Sequence, residues 1–277
     1  MPLSANTWSL LEATSRTFYL PIAFLPPGLQ EAVAAAYLCF RAIDEIEDHP
    51  ALTADLKIAL LGDVSRIMQT SFHPDDLRRA FDRRTSLLPE VTLRLGEWAT
   101  LAPSAIAPRI WDATVAMADR MAYWVCQRWR IETEADLDAY TFSVAGAVGI
   151  VMCDLCAWHD GGQADRGQAI ACGRGLQSVN ILRNHREDLT RGVDFFPHGW
   201  DQQAVTHYAL RHLTSVQAYL RTLPPCSVRT VCGIPVALAL ATLDTLAAGG
   251  DKLSRAEVMA IVARVQENET SSASSQR

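Results

Sequence analysis

The sequence predicts an all-α fold, with one helical domain over residues 1–266 and a disordered, Ser-rich tail over 267–277. Three observations lead there. Apolar residues recur at spacings of three and four, as Met117, Met121 and Trp124 do, which is the helical period. No run shows the strict alternation of a half-buried strand, and no internal repeat is visible. Helix stops and starts are marked by prolines and caps. At 277 residues, with 49% hydrophobic and 20% charged residues, the chain can bury a large core.

Taken in order, Met1–Trp8 is a polar lead-in and Ser9–Thr14 a short helix. Phe18–Gly28 carries Pro21, Pro26 and Pro27 and reads as an extended connection, because proline removes a backbone donor. Leu29–Asp48 is a long helix that stops at His49-Pro50, since proline disfavours the helical conformation in the residue before it. Thr53 is placed to N-cap a helix to Gln69. Asp75–Arg84 and Glu90–Leu101 are shorter helices, and Ala107–Trp129 carries the methionine stripe. Thr133-Glu134-Ala135-Asp136 is a capping signature for a helix through Trp158, which Gly161-Gly162 ends. Gln163–Leu189, Gln203–Leu220, Pro225–Leu246 and Ser254–Val265 complete a bundle of roughly ten helices.

Net charge is −6 and the pI about 5.6, which does not favour nucleic acid as a partner. Seven cysteines, an odd count with no recognisable secretory leader, argue for reduced thiols and a cytoplasmic location. Cys153 and Cys156 form a CxxC with His159 nearby, but a second pair at zinc spacing is missing, so a packed helix face is the better reading. The apolar run Val231–Leu243 is too short to span a bilayer, so no transmembrane segment is expected.

The chemistry concentrates in two acidic stretches. In Leu176–Asp188, the residues Asn180, Asn184 and Asp188 stand four apart, so a helix presents all three oxygens on one face. Oxygen ligands at that spacing suit a hard cation such as Mg²⁺, which binds phosphate-bearing substrates through one or two carboxylates. Arg183, Arg186 and Arg191 add cations for phosphate oxygens. In Arg41 through Asp48, Asp44 and Asp48 again stand one turn apart. Carboxylates clustered at a helix C-terminus repel one another and oppose the helix dipole, a conflict that cations relieve. Each stretch alone is compatible with a solvated charged face. Together they suggest metal ions bridging a diphosphate, with an apolar cavity for what carries it.

These residues carry a resemblance. Ser15-Arg16-Thr17-Phe18, Tyr37 through Asp48, Tyr140 through Gly149, and Leu176-Gln177 through Arg183 resemble the motifs of the squalene and phytoene synthase family. The later stretch from Cys232 to Pro235 and on to Leu243 resembles the squalene synthase branch in particular. The similarity runs in order from Thr14 to Leu243.

The resemblance implies an isoprenoid synthase-type bundle with a central apolar cavity. It also implies Mg²⁺-dependent, head-to-head joining of two prenyl diphosphates, farnesyl diphosphate being favoured, with Mn²⁺ as a substitute metal. By position, Asp44 and Asp48 match first-motif metal ligands, and Asn180, Asn184 and Asp188 the second. Arg16 and Arg41 match arginines that contact diphosphate; Phe18, Tyr37, Gln177 and Arg183 belong to the same substrate-binding motifs, and Arg191 is a further candidate cation for the substrate. Tyr140 matches a tyrosine placed near the reacting carbons. Peripheral membrane contact would serve product release.

The sequence also departs from the family pattern. Asn184 stands where the second motif, DxxED, has its first aspartate, and Val193 where an arginine normally follows a glycine. The basic segment that the family links to nicotinamide-dependent reduction is only faintly echoed by Lys252 and Arg255, which leaves an NADPH requirement open. Other readings therefore remain: transfer of a prenyl group to another acceptor, cyclisation of a single prenyl diphosphate, a non-catalytic prenyl-lipid binder, or an apolar interaction scaffold.

Overall fold

The computed structural model describes residues 2–15, 18–70, 73–82, 86–223 and 226–274, the side chains of 268–274 excepted. All regular elements among them are helical. The chain falls into two compact units, Met1–Trp129 and Arg130–Arg277.

The first unit holds α1 (Ala5–Thr14), α2 (Tyr19–Ala23), α3 (Leu29–Glu47), α4 (Ala54–Met68), α5 (Pro74–Phe81), α6 (Glu90–Leu93), α7 (Leu95–Ala99) and α8 (Ala107–Cys126). Helix α1 starts earlier than the sequence suggests because Ser4 Oγ accepts from Thr7 N and caps it. The stretch read as an extended connection contains α2. Its Pro21 lies in the first turn, where the missing N–H has no helical partner to lose. The predicted Glu90–Leu101 helix is broken at Arg94 into α6 and α7. There Gly96 lies directly on α5: a Cβ at Gly96 would stand 2.3 Å from the Pro74 carbonyl oxygen.

Helix α3 is the centre of this unit. Leu29, Ala32, Ala34–Ala36, Leu38, Ala42, Ile43 and Ile46 are wholly inaccessible to solvent, so the helix is packed on most of its circumference. One stripe stays open: Tyr37, Arg41, Asp44 and Glu45 are half-buried and Asp48 is exposed.

The second unit holds α9 (Glu134–Thr141), a π-helical turn (Phe142–Gly146), α10 (Ala147–Asp160), α11 (Arg166–Thr190), α12 (Gln202–Thr222), α13 (Ser227–Ala247) and α14 (Arg255–Ser274). Thr133 and Asp136 cap α9 reciprocally, as their spacing predicts. The single helix expected through Trp158 instead loosens into the π turn. Around that turn the hydroxyls of Thr141 and Ser143 donate back to the carbonyls of Leu137 and Ala139, both at 2.7 Å. Backbones touch just beyond it. A Cβ at Gly149 would fall 2.1 Å from Ala169 O, and one at Gly173 would fall 2.3 Å from Ala145 O.

Helix α11 begins at Arg166 because Asp165 is its cap, accepting from Gln168 N. The last helix runs to Ser274, into the stretch read as a tail, where Gln266 to Glu269 offer neither glycine nor proline to stop it. The membrane expectation needs one correction. The apolar run Val231–Leu243 lies within a helix of 21 residues, and Ser227–Ala247 and Glu134–Asp160 are both long and apolar enough to cross a bilayer. Packing explains that apolarity at least in part, since α10, α11, α12 and α13 close around a shared cavity of about 20 Å³ lined by Cys153, Cys156, Cys172 and Cys232. That volume admits a water-sized guest and no prenyl chain.

Candidate functional site

In the first unit the site is the open stripe of α3. Tyr37 donates to the Thr14 carbonyl at 2.9 Å, tying α3 to the end of α1, and its ring lies 6.1 Å from that of the exposed Phe18. Arg41 Nη1 bonds Asp44 Oδ2 at 2.6 Å, and Nη2 bonds the Glu45 carboxylate. Arg41 Nε is buried and has no hydrogen-bond partner among the described residues. Asp44 keeps 30% of its side chain open. Even so, loss of hydration and then the charge of Asp48 push its pKa up to about 7, against the pull of Arg41. Arg16 lies outside the described residues.

In the second unit the site is the C-terminal half of α11. Asn180 Oδ1 accepts from Arg183 Nη2 at 2.8 Å and from Asn184 Nδ2 at 3.2 Å, so the predicted one-turn spacing does place the two amides side by side. Arg183 is exposed and also reaches Asn184 Oδ1 at 3.3 Å. Gln177 is half-buried one turn earlier. Asp188 is buried and pairs with Arg191, and its carbonyl accepts from Val193 N at 3.1 Å.

Tyr140, at the end of α9, is buried and stacks on Phe195 with ring centroids 4.6 Å apart and planes at 21°. Phe195 is held in turn: Asp194 Oδ1 accepts from Phe196 N at 2.9 Å and lies 3.2 Å from His185 Nε2, while the His185 ring stacks on Phe196 at 3.8 Å. The sequence reading singled out none of Phe195, Asp194 or His185. The signal available was their position directly after an acidic helix, across the turn at Gly192, whose φ of +75° suits glycine.

Three comparisons bear on these two sites. The family model described as squalene/phytoene synthase matches residues 11–208. The squalene synthase of Schizosaccharomyces pombe is 30% identical over 267 residues, covering 85% of this chain and 58% of that protein. The squalene synthase of Yarrowia lipolytica is 30% identical over 274 residues, 86% of this chain and 60% of that protein. The chain belongs to the squalene/phytoene synthase family. It spans about three fifths of the length of these relatives. Among solved structures, TcSQS in complex with the ligand BPH1237 superposes with a TM-score of 0.75 at 24% identity, covering 94% of this chain and 85% of that one. A dehydrosqualene synthase in complex with a ligand gives 0.58 at 18% identity, covering 96% of each chain. These two likenesses concern the fold.

The donor set fits a hard divalent cation. Asp44 and Asp48 are like charges whose repulsion raises the Asp44 pKa, a state that a cation relieves. Among the described residues no three acidic, histidine or cysteine side chains converge on one point. Magnesium does not require that, because it keeps waters and binds through one or two carboxylates together with substrate phosphate.

Proposed function

We propose that this chain joins two allylic prenyl diphosphates head to head, farnesyl diphosphate being the favoured substrate, with Mg²⁺ as the required ion. The observation that carries the reading is the α3 stripe, where two carboxylates under mutual repulsion stand beside an arginine whose buried Nε has no partner among the described residues. In this reading Asp44 and Asp48 hold one set of ions, and Asn180, Asn184 and Asp188 contribute the second set of oxygens. A bound ion supplies charge stabilisation to a departing diphosphate. Arg41, whose side chain is about one third exposed, takes a phosphate oxygen, and Arg16 and Arg183 add cations. Tyr140, fixed by its stack on Phe195, presents its phenol at the reacting carbons. Seven free thiols support a reducing, cytoplasmic setting.

The experiment is incubation of the purified chain with farnesyl or geranylgeranyl diphosphate, with and without Mg²⁺ and NADPH, and products read by mass spectrometry. A C30 or C40 product that disappears in Asp44→Ala supports head-to-head joining. Diphosphate release with only single-substrate terpenes or alcohols moves the reading to cyclisation or to transfer onto another acceptor. No Mg²⁺-dependent turnover of either substrate refutes it and favours a prenyl-lipid binder.

A further inference from the structure

We propose that Asp138 is a positioning residue for Tyr140: held by Arg174 and Tyr208, it fixes where α9 gives way to the π turn, and so the aim of the Tyr140 ring. The proposal rests on reading Tyr140 as the side chain presented at the reacting carbons.

The π form is rare in helices and occurs mostly as single turns, frequently at functional sites. Here it follows directly on Tyr140 and Thr141, over Phe142–Gly146. Two glycines bring α11 up against its neighbours. A Cβ at Gly173 would fall 2.3 Å from Ala145 O in the turn, and one at Gly175 would fall 2.7 Å from the Leu213 side chain of α12. Arg174, between those glycines, is thereby carried to the end of α9. Its Nη2 donates to the Asp138 carbonyl at 3.3 Å, and its Nη1 lies 3.6 Å from Asp138 Oδ1. The same carboxylate oxygen accepts from the Tyr208 hydroxyl at 2.5 Å.

Two features tie this clamp to Tyr140. The first is in the backbone. The Asp138 carbonyl stands at the transition itself: Phe142 N, which opens the π turn, divides its bond between Ala139 O and Asp138 O, and Thr141 Oγ1 donates to Asp138 O at 3.4 Å. A carbonyl oxygen has two lone pairs, so a guanidinium donor from α11 competes there with the helical N–H. That competition loosens the α pattern at this residue and not a turn earlier or later. The second feature is the fixity of Tyr208. It is 1% exposed, edge-on to the His212 ring at 4.7 Å and 5.1 Å from the Arg211 guanidinium. Its hydroxyl also lies 3.4 Å from Thr141 Oγ1. Helix α12 thus holds Asp138 and Thr141, one on each side of Tyr140 in the chain, and the ring between them meets Phe195. The start of α9 is tied to α12 separately, by the exposed pair of Glu134 and Arg211.

The test uses the full chain, with diphosphate release from farnesyl diphosphate and Mg²⁺ as one readout and fluorine NMR of fluorotyrosine-labelled protein as the other. Tyr208→Phe removes the hydroxyl and keeps the buried ring. It should lower kcat about tenfold, the scale of a misplaced reacting group, with KM within about twofold of the parent. Arg174→Met should act in the same way. Glu134→Gln breaks only the exposed pair at the start of α9 and should leave kcat unchanged. In a Tyr140→Phe background, Tyr208→Phe should cost nothing further, because residues acting through one group are not additive. The resonance that vanishes in Tyr140→Phe should shift in Arg174→Met, whatever the turnover, with circular dichroism reporting folding in each variant. The proposal is overturned if the Tyr140 and Tyr208 losses multiply, if folded Tyr208→Phe keeps the parent kcat, or if that resonance stays in place. Should Tyr140→Phe itself turn over like the parent, the reading of Tyr140 fails, a result distinct from an unmoved resonance.

Discussion

Replacing Asn184 by aspartate should change the metal requirement far more than the stability. In the structure Asn184 Nδ2 donates to Asn180 Oδ1 at 3.2 Å, and aspartate would set two acceptors against each other there. Losing that bond costs about 1 kcal/mol. Arg183 already reaches Asn184 Oδ1 at 3.3 Å and is exposed. Its new ion pair would return about 0.5 kcal/mol. The balance is a melting temperature lower by about 2 °C at most. The metal side is larger. A carboxylate about 4 Å from a divalent ion gains about 2 kcal/mol even at the dielectric of water. That corresponds to about 30-fold in affinity. The assay is diphosphate release from farnesyl diphosphate across a Mg²⁺ titration, with melting followed in parallel. A half-maximal Mg²⁺ concentration lower by an order of magnitude is expected. An unchanged Mg²⁺ requirement, accompanied by the small melting shift, would refute the placing of the Asn184 oxygen in a metal site.

Four further outcomes can be checked. Burial raises the pKa of Asp44 to about 7 and of Glu47 to about 8, with the charge of Asp48 adding to both. A carboxylate raised on folding holds its proton more tightly in the folded state, so its contribution is present at low pH and lost as pH climbs through the raised value. The metal-free protein should therefore have a higher urea midpoint at pH 5.5 than at pH 8.5, Mg²⁺ should recover stability at pH 8.5, and Glu47→Gln should flatten the slope; equal slopes in parent and variant would contradict this. Gly149→Ala should destabilise by about 2 kcal/mol in urea denaturation, because its Cβ meets the Ala169 carbonyl in the backbone. Gly62→Ala, in α4 with open space around it, should stabilise by about 1 kcal/mol in the same measurement. Phe195→Leu should lower kcat about fivefold with KM little changed, since the stack on Tyr140 contributes about 1 kcal/mol beyond area burial. A change confined to KM would mean that Phe195 contacts substrate and does not orient Tyr140.

Helices, and much of the two candidate sites, were legible because their signals are local. The Asn180, Asn184 and Asp188 spacing reports one helix face whatever surrounds it. Thr53 and the Thr133–Asp136 box announce helix starts through bonds made within three residues. What escaped depends on neighbours distant in sequence. The break at Arg94 accompanies Gly96 lying on Pro74, and the π turn stands where Gly149 and Gly173 bring backbones together. Phe195 reads as an ordinary core aromatic until Tyr140, 55 positions earlier, is found against it. Glu47 reads as one more acid in an acidic run, yet its Oε1 accepts from the indole of Trp129, 82 positions on.

The two departures from the family pattern belong to one electrostatic argument. Asparagine at 184 removes a negative charge, and valine at 193 removes a positive one, so their joint effect on net charge is nil. They also share surroundings. Val193 N bonds the carbonyl of Asp188, the residue one turn after Asn184, and Arg191 pairs with the Asp188 carboxylate. An aspartate at 184 would draw Arg183 into an ion pair. With asparagine there, Arg183 bonds only amide oxygens among the described residues, so its charge faces no carboxylate partner there. The cation missing at 193 is thus replaced in sign, though not in place, by an arginine left un-neutralised ten residues earlier. If the proposed function holds, that shift would leave attraction for a diphosphate in the second unit while weakening its hold on a metal. Under that reading the greater share of metal binding would fall on Asp44 and Asp48, one turn apart at the end of α3.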